Sequence, residues 1–242
     1  DLHSLRRRQR QMCIRDRGDT NTVLASALVC AKTGNLFAHV EAGLRSYDHN
    51  MPEEINRIIC DHLSSYLFAP TNKQKKILER EGIAKEKIFV VGNTIVDAVL
   101  QNLELAKRKS TILQRLDLKP KKYFLLTLHR PSNVDHKAVF RRILSAIERI
   151  AGEFNFPVVF PIHPRTQARL KEFDLSLPKS IKVLPPVGFL DFLQLEANAK
   201  LILTDSGGVQ EEACILKVPC VTIRENTERP ETCLLYTSDA AD

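Results

Sequence analysis

Between Gly18 and Thr232, short apolar runs bounded by Gly, Pro or polar residues alternate with segments whose apolar positions recur at helical spacing. That alternation is the signature of βαβ units wound into parallel sheets. In a first block it predicts a helix of small residues over 21–32, a strand at 36–40, a helix over 52–65, a strand at 66–69, a helix over 73–81 and a strand at 88–91. Pro52 suits a helix first turn and Glu53 and Glu54 follow it there, so Ile55, Ile58, Ile59, Leu63 and Tyr66 form the stripe expected to be buried. A charged amphipathic stretch over 97–118 reads as a bridge to a second block. There the pattern predicts strands at 123–128, 158–162, 181–184, 201–204 and 220–223, with helices over 137–151, 189–198 and 209–216. The fold class is therefore α/β, with two Rossmann-like lobes.

The two ends break this order. Residues 1–17 have neither period 2 nor period 3.6, and 233–242 interrupt a motif-rich stretch in mid-course, so both read as non-native tails of the kind excluded from fold reasoning. The expected organisation is a tail (1–17), a partial N-terminal lobe (18–97), a connecting helix (98–118), a partial C-terminal lobe (119–232) and a second tail (233–242). The first lobe is expected to be truncated at its N-terminus and the second at its C-terminus.

Composition changes this picture little. With 242 residues and 43% hydrophobic content the chain can bury a proper core. No apolar run approaches the roughly 20 residues of a membrane helix and no signal-peptide pattern opens the chain, so it reads as cytoplasmic, without a membrane partner. The net charge of +7 is concentrated at the start, where the first 17 residues carry 6 Arg and 2 Asp. Without interleaved aromatics or a nucleic-acid motif, that charge does not point to DNA or RNA. The cysteines at 13, 30, 60, 214, 220 and 233 form no C-x-x-C pair and no zinc-spaced cluster, and read as buried thiols; no metal or cofactor is expected.

Candidate chemistry collects just past strand ends, where open parallel sheets bind ligands. His39 and Glu41 follow one strand, His129 and Arg130 another, His163 and Arg165 a third, and Asp205 to Gly208 a fourth. In the run from Leu201 to Glu212, Gly207 and Gly208 allow a sharp turn and close approach by a ligand. The helix start behind them offers unpaired N–H groups to a phosphate, and Ser206 adds a hydroxyl. Glu212, one turn in, can accept hydrogen bonds from two ribose hydroxyls. An ordinary capped helix would account for the same residues, just as Glu53 could be only a first-turn carboxylate, Glu41 a cap, and His163 the turn before Pro164.

The motifs, taken together and in order, resemble the non-hydrolysing UDP-N-acetylglucosamine 2-epimerase family. They are Gly18-Asp19-Thr20, His39-Val40-Glu41-Ala42-Gly43-Leu44-Arg45, Pro52-Glu53-Glu54-Ile55-Asn56-Arg57, Val90-Val91-Gly92-Asn93-Thr94, Leu126-Thr127-Leu128-His129-Arg130, Pro161-Ile162-His163-Pro164, the run from Thr204 to Glu212, and Thr227-Glu228-Arg229-Pro230-Glu231. The resemblance implies the glycosyltransferase-B architecture, two lobes facing across a cleft, and interconversion of UDP-N-acetylglucosamine and UDP-N-acetylmannosamine. The implied route eliminates UDP to a 2-acetamidoglucal and adds it back. It implies Asp19, Glu41 and Glu53 as acid/base carboxylates, and His129 at the diphosphate or in proton transfer with Arg130 beside it. It further implies Ser206, Gly207 and Gly208 on phosphate, Glu212 on ribose, Arg229 as the cation that neutralises diphosphate charge, His163 as a further contact, and a homodimer for the full-length protein.

Some family features are missing. No Gly-Thr-Arg-Pro-Glu-type loop is present, Arg17 stands where a histidine usually precedes Gly-Asp-Thr, and the last elements of the second lobe are absent. Two other outcomes stay open. One is the hydrolysing relative, which releases N-acetylmannosamine and UDP, and the other is a UDP-binding fragment without turnover.

Overall fold

The computed structural model describes residues 13–230 and Thr232, with side chains from Gly18 onward. Of the expected tails, 1–12 and 233–242 lie outside the described residues, whereas 13–17 of the first form a strand. The described residues up to Thr94, together with Asn226–Arg229, form one compact unit; those from Ile95 to Glu225, with Pro230 and Thr232, form a second. The segment Asn226–Arg229, read from the sequence as part of 119–232, thus packs with the first unit.

In the first unit, β1 (Cys13–Arg17), β2 (Leu36–Val40), β3 (Tyr66–Ala69) and β4 (Ile88–Val90) form a parallel sheet in sequential order. β1 falls where periodicity showed no element. Its pairing with β2, Cys13 opposite Leu36 through Arg17 opposite Val40, is a backbone ladder that needs no side-chain pattern. The connecting helices are α1 (Asn21–Thr33), α2 (Pro52–Leu63) and α3 (Asn72–Arg80). Thr20 caps α1 by accepting from the Val23 amide, Gly34 ends it at φ 71°, and Thr71 caps α3 by accepting from the Lys73 amide.

The stripe expected to be buried on α2 is not its inner face. Ile55 is 45% exposed and Tyr66 41%, with Ile58, Ile59 and Leu63 half-buried, while Glu54, Asn56, Arg57, Cys60 and Asp61 are buried. Burying polar groups is tolerable only when each is bonded, and these are, so the polar face turns inward.

The second unit is a three-layer α/β sandwich. α4 (Thr94–Lys109) and the short α5 (Ile112–Arg115) lead into a sheet of β5 (Phe124–Thr127), β6 (Val158–Pro161), β7 (Ile181–Leu184), β8 (Leu201–Thr204) and β9 (Cys220–Thr222), ordered β7-β6-β5-β8-β9 and parallel throughout. The remaining helices are α6 (Pro131–Val134), α7 (Lys137–Phe154), α8 (Pro164–Glu172), α9 (Phe189–Asn198) and α10 (Gly207–Ile215). α8 was not expected, although Pro164 at its first turn and His163 as its cap were available signals. One core joins Phe124, Leu126, Phe160 and Leu203 to Phe140, Leu144 and Leu170. The other joins Leu125, Val159 and Ile202 to Leu195, Val209 and Ala213.

The chain winds outward from β5 to β7 and then returns to lay β8 on the other side of β5. The switch point of the sheet therefore lies between the carboxyl ends of β5 and β8, where parallel sheets open a ligand crevice. Among the described residues no helix is long and apolar enough to cross a membrane.

Candidate functional site

At that switch point the organising residue is Asp205, which sequence reasoning passed over as part of a turn. It is 0% exposed, yet its carboxylate accepts from the His129 amide (3.0 Å), the Arg130 amide (2.9 Å) and Asn133 Nδ2 (3.1 Å), and its Oδ1 lies 3.0 Å from His129 Nδ1. Burial disfavours the charge, but the His129 hydrogen bond and charge and the two amides outweigh it and hold the Asp205 carboxyl below its usual range. The segment 129–133 is thereby fixed on the carboxylate of a residue more than 70 positions away, and the His129 ring is oriented with Nδ1 inward and Nε2 outward.

His163, exposed at the end of β6, has its ring centroid 5.5 Å from that of His129. Its Nδ1 accepts from the Arg165 amide at 3.2 Å, which puts the proton of a neutral ring on Nε2. Burial, followed by repulsion from His129 and Arg165, pulls its pKa down, favouring that neutral form.

Ser206 caps α10: its Oγ accepts from the Val209 amide at 3.5 Å, and its own amide donates to Thr204 Oγ1 at 2.9 Å. Neither Gly207 nor Gly208 adopts a positive φ. The use of Gly208 is therefore open approach rather than a sharp turn: a Cβ there would meet only Ser206 Oγ, at 3.9 Å. The Gly207 and Gly208 amides at the start of α10 are available to an anion, in the positive end of the helix dipole. Glu212 lies one turn further on, half-buried. Behind it Glu196 of α9 is 0% exposed, and its carboxyl faces that of Glu212. Burial and the neighbouring Glu212 charge push the Glu196 carboxyl well above the usual range, so it is held neutral.

The first unit gathers carboxylates. Asp19, directly after the β1 end, binds Arg57 through Oδ2, at 3.0 Å to Nε and 2.6 Å to the terminal NH2 nitrogen. Arg57 also meets Glu54 at 2.8 Å and lies 3.8 Å from Glu228. Glu41 is 8% exposed at φ 70°, a left-handed conformation that costs a non-glycine residue energy and is over-represented at functional sites. Arg229 lies 3.9 Å from Glu41 Oε2 and 2.5 Å from Glu228 Oε1.

Glu53 is half-buried in the first turn of α2, whereas its neighbour Glu54 is fully buried and accepts from the Ser46 and Tyr47 amides (2.8 and 2.9 Å), Ser46 Oγ (3.0 Å) and Arg57. Burial works against the Glu54 charge, but these donors win and keep its carboxyl below the usual range. Glu54, Arg57 and Glu228 belong to the cluster and were missed. The Glu-Glu pair and the Arg at α2 spacing were the available signal.

Of the sequence-predicted residues, Asp19, Glu41, Glu53 and Arg229 thus collect in the first unit. His129, Arg130, His163, Ser206, Gly207, Gly208 and Glu212 collect in the second. Cys30 and Cys60 are buried, as expected of structural thiols, while Cys214 and Cys220 are half-buried. Among the described residues no group of three or more His, Cys, Asp or Glu side chains could hold a metal ion.

Two parallel-sheet units, one with an anion-ready helix start at its switch point, define a glycosyltransferase-B-like α/β protein. The family model described as UDP-N-acetylglucosamine 2-epimerase matches residues 6–239, and the chain belongs to that family. It is 60% identical over 221 residues to the UDP-N-acetylglucosamine 2-epimerase of Methanocaldococcus jannaschii, a match that covers 89% of this chain and 60% of that relative. The crystal structure of the Methanocaldococcus jannaschii enzyme in complex with UDP-GlcNAc and UDP aligns with a TM-score of 0.89 at 56% identity, over 96% of this chain and 66% of that one. The Neisseria meningitidis enzyme bound to UDP-GlcNAc aligns with a TM-score of 0.85 at 32% identity, over 96% of this chain and 65% of that one. The chain therefore spans about 60% of the length of the curated relative it matches.

Proposed function

We propose that the protein interconverts UDP-N-acetylglucosamine and UDP-N-acetylmannosamine without net hydrolysis. The lobe at 18–97 supplies acid/base carboxylates, the lobe at 119–232 grips UDP, and 98–118 connects them. The observation that carries this reading is the Asp205 node. It orients His129 beside the uncovered amides of Gly207 and Gly208, at the switch point where a parallel sheet binds nucleotides. Family membership supplies the sugar.

The chemistry needs both groups of residues. The C2 proton of the sugar is not activated by a carbonyl, so its removal must be coupled to cleavage of the C1–O bond, with UDP leaving with the electron pair. The product of that elimination is a 2-acetamidoglucal. UDP then attacks C1 from the side it left, while C2 takes a proton on its opposite face, which inverts that carbon alone. Asp19, Glu41 and Glu53 exchange protons with C2 and with the departing and returning groups. His129 and Arg130, the α10 amides and Arg229 stabilise the diphosphate charge that grows as C1–O breaks, and Glu212 takes the ribose hydroxyls. His163, neutral and adjacent to His129, offers an Nε2–H donor to the same diphosphate.

Incubation with UDP-N-acetylglucosamine in D2O, followed by NMR, tests this. Deuterium at C2 of both UDP-sugar epimers is the expected result. Free N-acetylmannosamine would favour the hydrolysing alternative instead. UDP binding without C2 exchange, by the chain and by the full-length protein, would remove the catalytic reading and leave a UDP-binding protein.

A further inference from the structure

One buried histidine is used by none of the chemistry above. His39 sits within β2, 1% exposed, with an acceptor against each ring nitrogen. Nδ1 lies 2.7 Å from Asp61 Oδ1, and Nε2 lies 2.9 Å from the Gly18 carbonyl oxygen. A carbonyl oxygen cannot donate, so Nε2 must carry a hydrogen. Asp61 is occupied as an acceptor on its other oxygen, which takes the Gly43 amide at 3.0 Å and the Arg45 guanidinium at 2.7 Å. The Arg45 guanidinium charge at 2.7 Å favours the ionised Asp61, and Nδ1 then donates to it as well. Either neutral tautomer would leave a ring lone pair facing an oxygen lone pair in a buried site.

The contacts continue outward as an alternating chain of charge. Glu81, following α3, binds Arg45 through two hydrogen bonds of 2.8 and 2.6 Å, Arg45 binds Asp61, Asp61 binds His39, and His39 holds the Gly18 carbonyl. The two loops joined at its inner end are the ones carrying the candidate carboxylates. Asp19 follows Gly18 directly. Glu41 opens the loop that Asp61 pins at Gly43, and Glu41 Oε2 lies 4.0 Å from the position of a Cβ on Gly18. Both loops are conformationally demanding, with φ 88° at Gly18, 70° at Glu41 and 83° at Gly43.

Resting on the epimerase reading, we propose that His39 is a positioning residue. By donating from both ring nitrogens, to Asp61 and to the Gly18 carbonyl, it clamps the Gly18–Asp19 loop against the Glu41–Arg45 loop and so sets the spacing of the two acid/base carboxylates. The groups facing it from every neighbouring element agree with a doubly protonated ring. Asp61 comes from α2, Glu41 from the loop after β2 and the Gly18 carbonyl from the loop after β1; the neighbouring cations are each held by carboxylates, Arg45 by Asp61 and Glu81, Arg57 by Asp19 and Glu54, and Arg229 by Glu228. Burial pulls the His39 pKa down, but the Asp61 hydrogen bond and charge, the Gly18 carbonyl and Glu41 overcome it, and the net direction is upward. A histidine raised in the folded state contributes stability that is complete below its ordinary 6.5 and is lost as pH rises through its native value. The clamp is therefore closed below pH 6.5 and opens as the pH rises through the raised native value.

The test combines a structural reading that needs no turnover with a kinetic one. In the 15N-labelled wild-type chain the His39 ring should show two N–H groups and stay charged above pH 6.5, and the amides of 18–19 and 41–45 should lose protection together as it deprotonates, while those of 206–212 do not change. In an active protein, His39→Gln should lower kcat by about 100-fold, the scale of a misplaced catalytic group, with KM and UDP affinity unchanged and the alkaline limb of kcat gone. His39→Phe should be worse. A His39 ring that is mostly neutral at pH 6.5, or 18–19 and 41–45 amides indifferent to its titration, overturns the clamp whatever the activity. So does a His39→Gln variant with wild-type kcat and pH profile. Two ring N–H groups in a wild-type protein that shows no C2 exchange would instead sink the epimerase reading while leaving the clamp standing.

Discussion

At the scale of single residues, Asp205 and Glu196, both 0% exposed in the second unit, have opposite fates because their surroundings differ. Asp205 keeps its charge since two amides, Asn133 and His129 surround it; Glu196 has none of these and faces Glu212. A carboxyl held neutral by burial makes the folded state bind a proton that the unfolded state releases above the ordinary 4.5, so Glu196 lowers stability as pH rises from there. Glu196→Met, close in volume and free of charge, should therefore stabilise the chain by about 1–3 kcal/mol at pH 7. The gain should shrink towards zero near pH 4.5, as read from urea denaturation midpoints at several pH values. An unchanged midpoint at pH 7 would count against a buried neutral Glu196. The sequence made the Ser206 to Glu212 turn legible but not Asp205 as its anchor, because the partners of Asp205 lie 72 to 76 positions away. Local pattern carries no information about such contacts.

Among the elements, α2 shows where periodicity misleads. Its apolar stripe through Ile55 was the stronger signal, yet Glu54, Arg57 and Asp61 turn inward because Asp19, Ser46, Tyr47, His39 and Gly43 supply partners for each of them. Apolar spacing ranks the faces of a helix by transfer free energy and takes no account of a polar network that satisfies itself. The strands and glycine turns were far more readable, since β2, β3, β7 and β8 fall where the alternation put them. The loop between β2 and α2 depends on Gly43, at φ 83°, where an added Cβ would lie 2.7 Å from the Gln74 carbonyl oxygen. Gly43→Ala should cost about 1–3 kcal/mol from backbone conformation alone, with the overlap adding to it. The same change should loosen Glu41, so a lowered thermal midpoint should be accompanied by loss of C2 exchange without loss of UDP affinity. A variant as stable as wild type would contradict the tight packing of this loop against α3.

For the molecule as a whole, the alternation of strands and helices was enough to announce α/β architecture with two sheets, because each βαβ unit is written locally. What it could not show is the order β7-β6-β5-β8-β9, the resulting switch point, or the return of Asn226–Arg229 to the first unit, where Asn226 meets Asp48 and Arg229 lies beside Glu41. These are choices of long-range packing, and they decide where the chemistry sits. They also separate the labour: in the proposed reaction, the second unit supplies the UDP contacts other than Arg229, and the first supplies the carboxylates together with Arg229. The most direct measurement is a titration of the 15N-labelled chain with UDP, followed through backbone amide shifts in wild type and Asp205→Asn. The account predicts saturable shifts concentrated at 129–130 and 206–212, with affinity reduced about tenfold or more in the variant, equivalent to about 1.4 kcal/mol or more. No saturable binding, or shifts centred elsewhere and indifferent to Asp205→Asn, would contradict it.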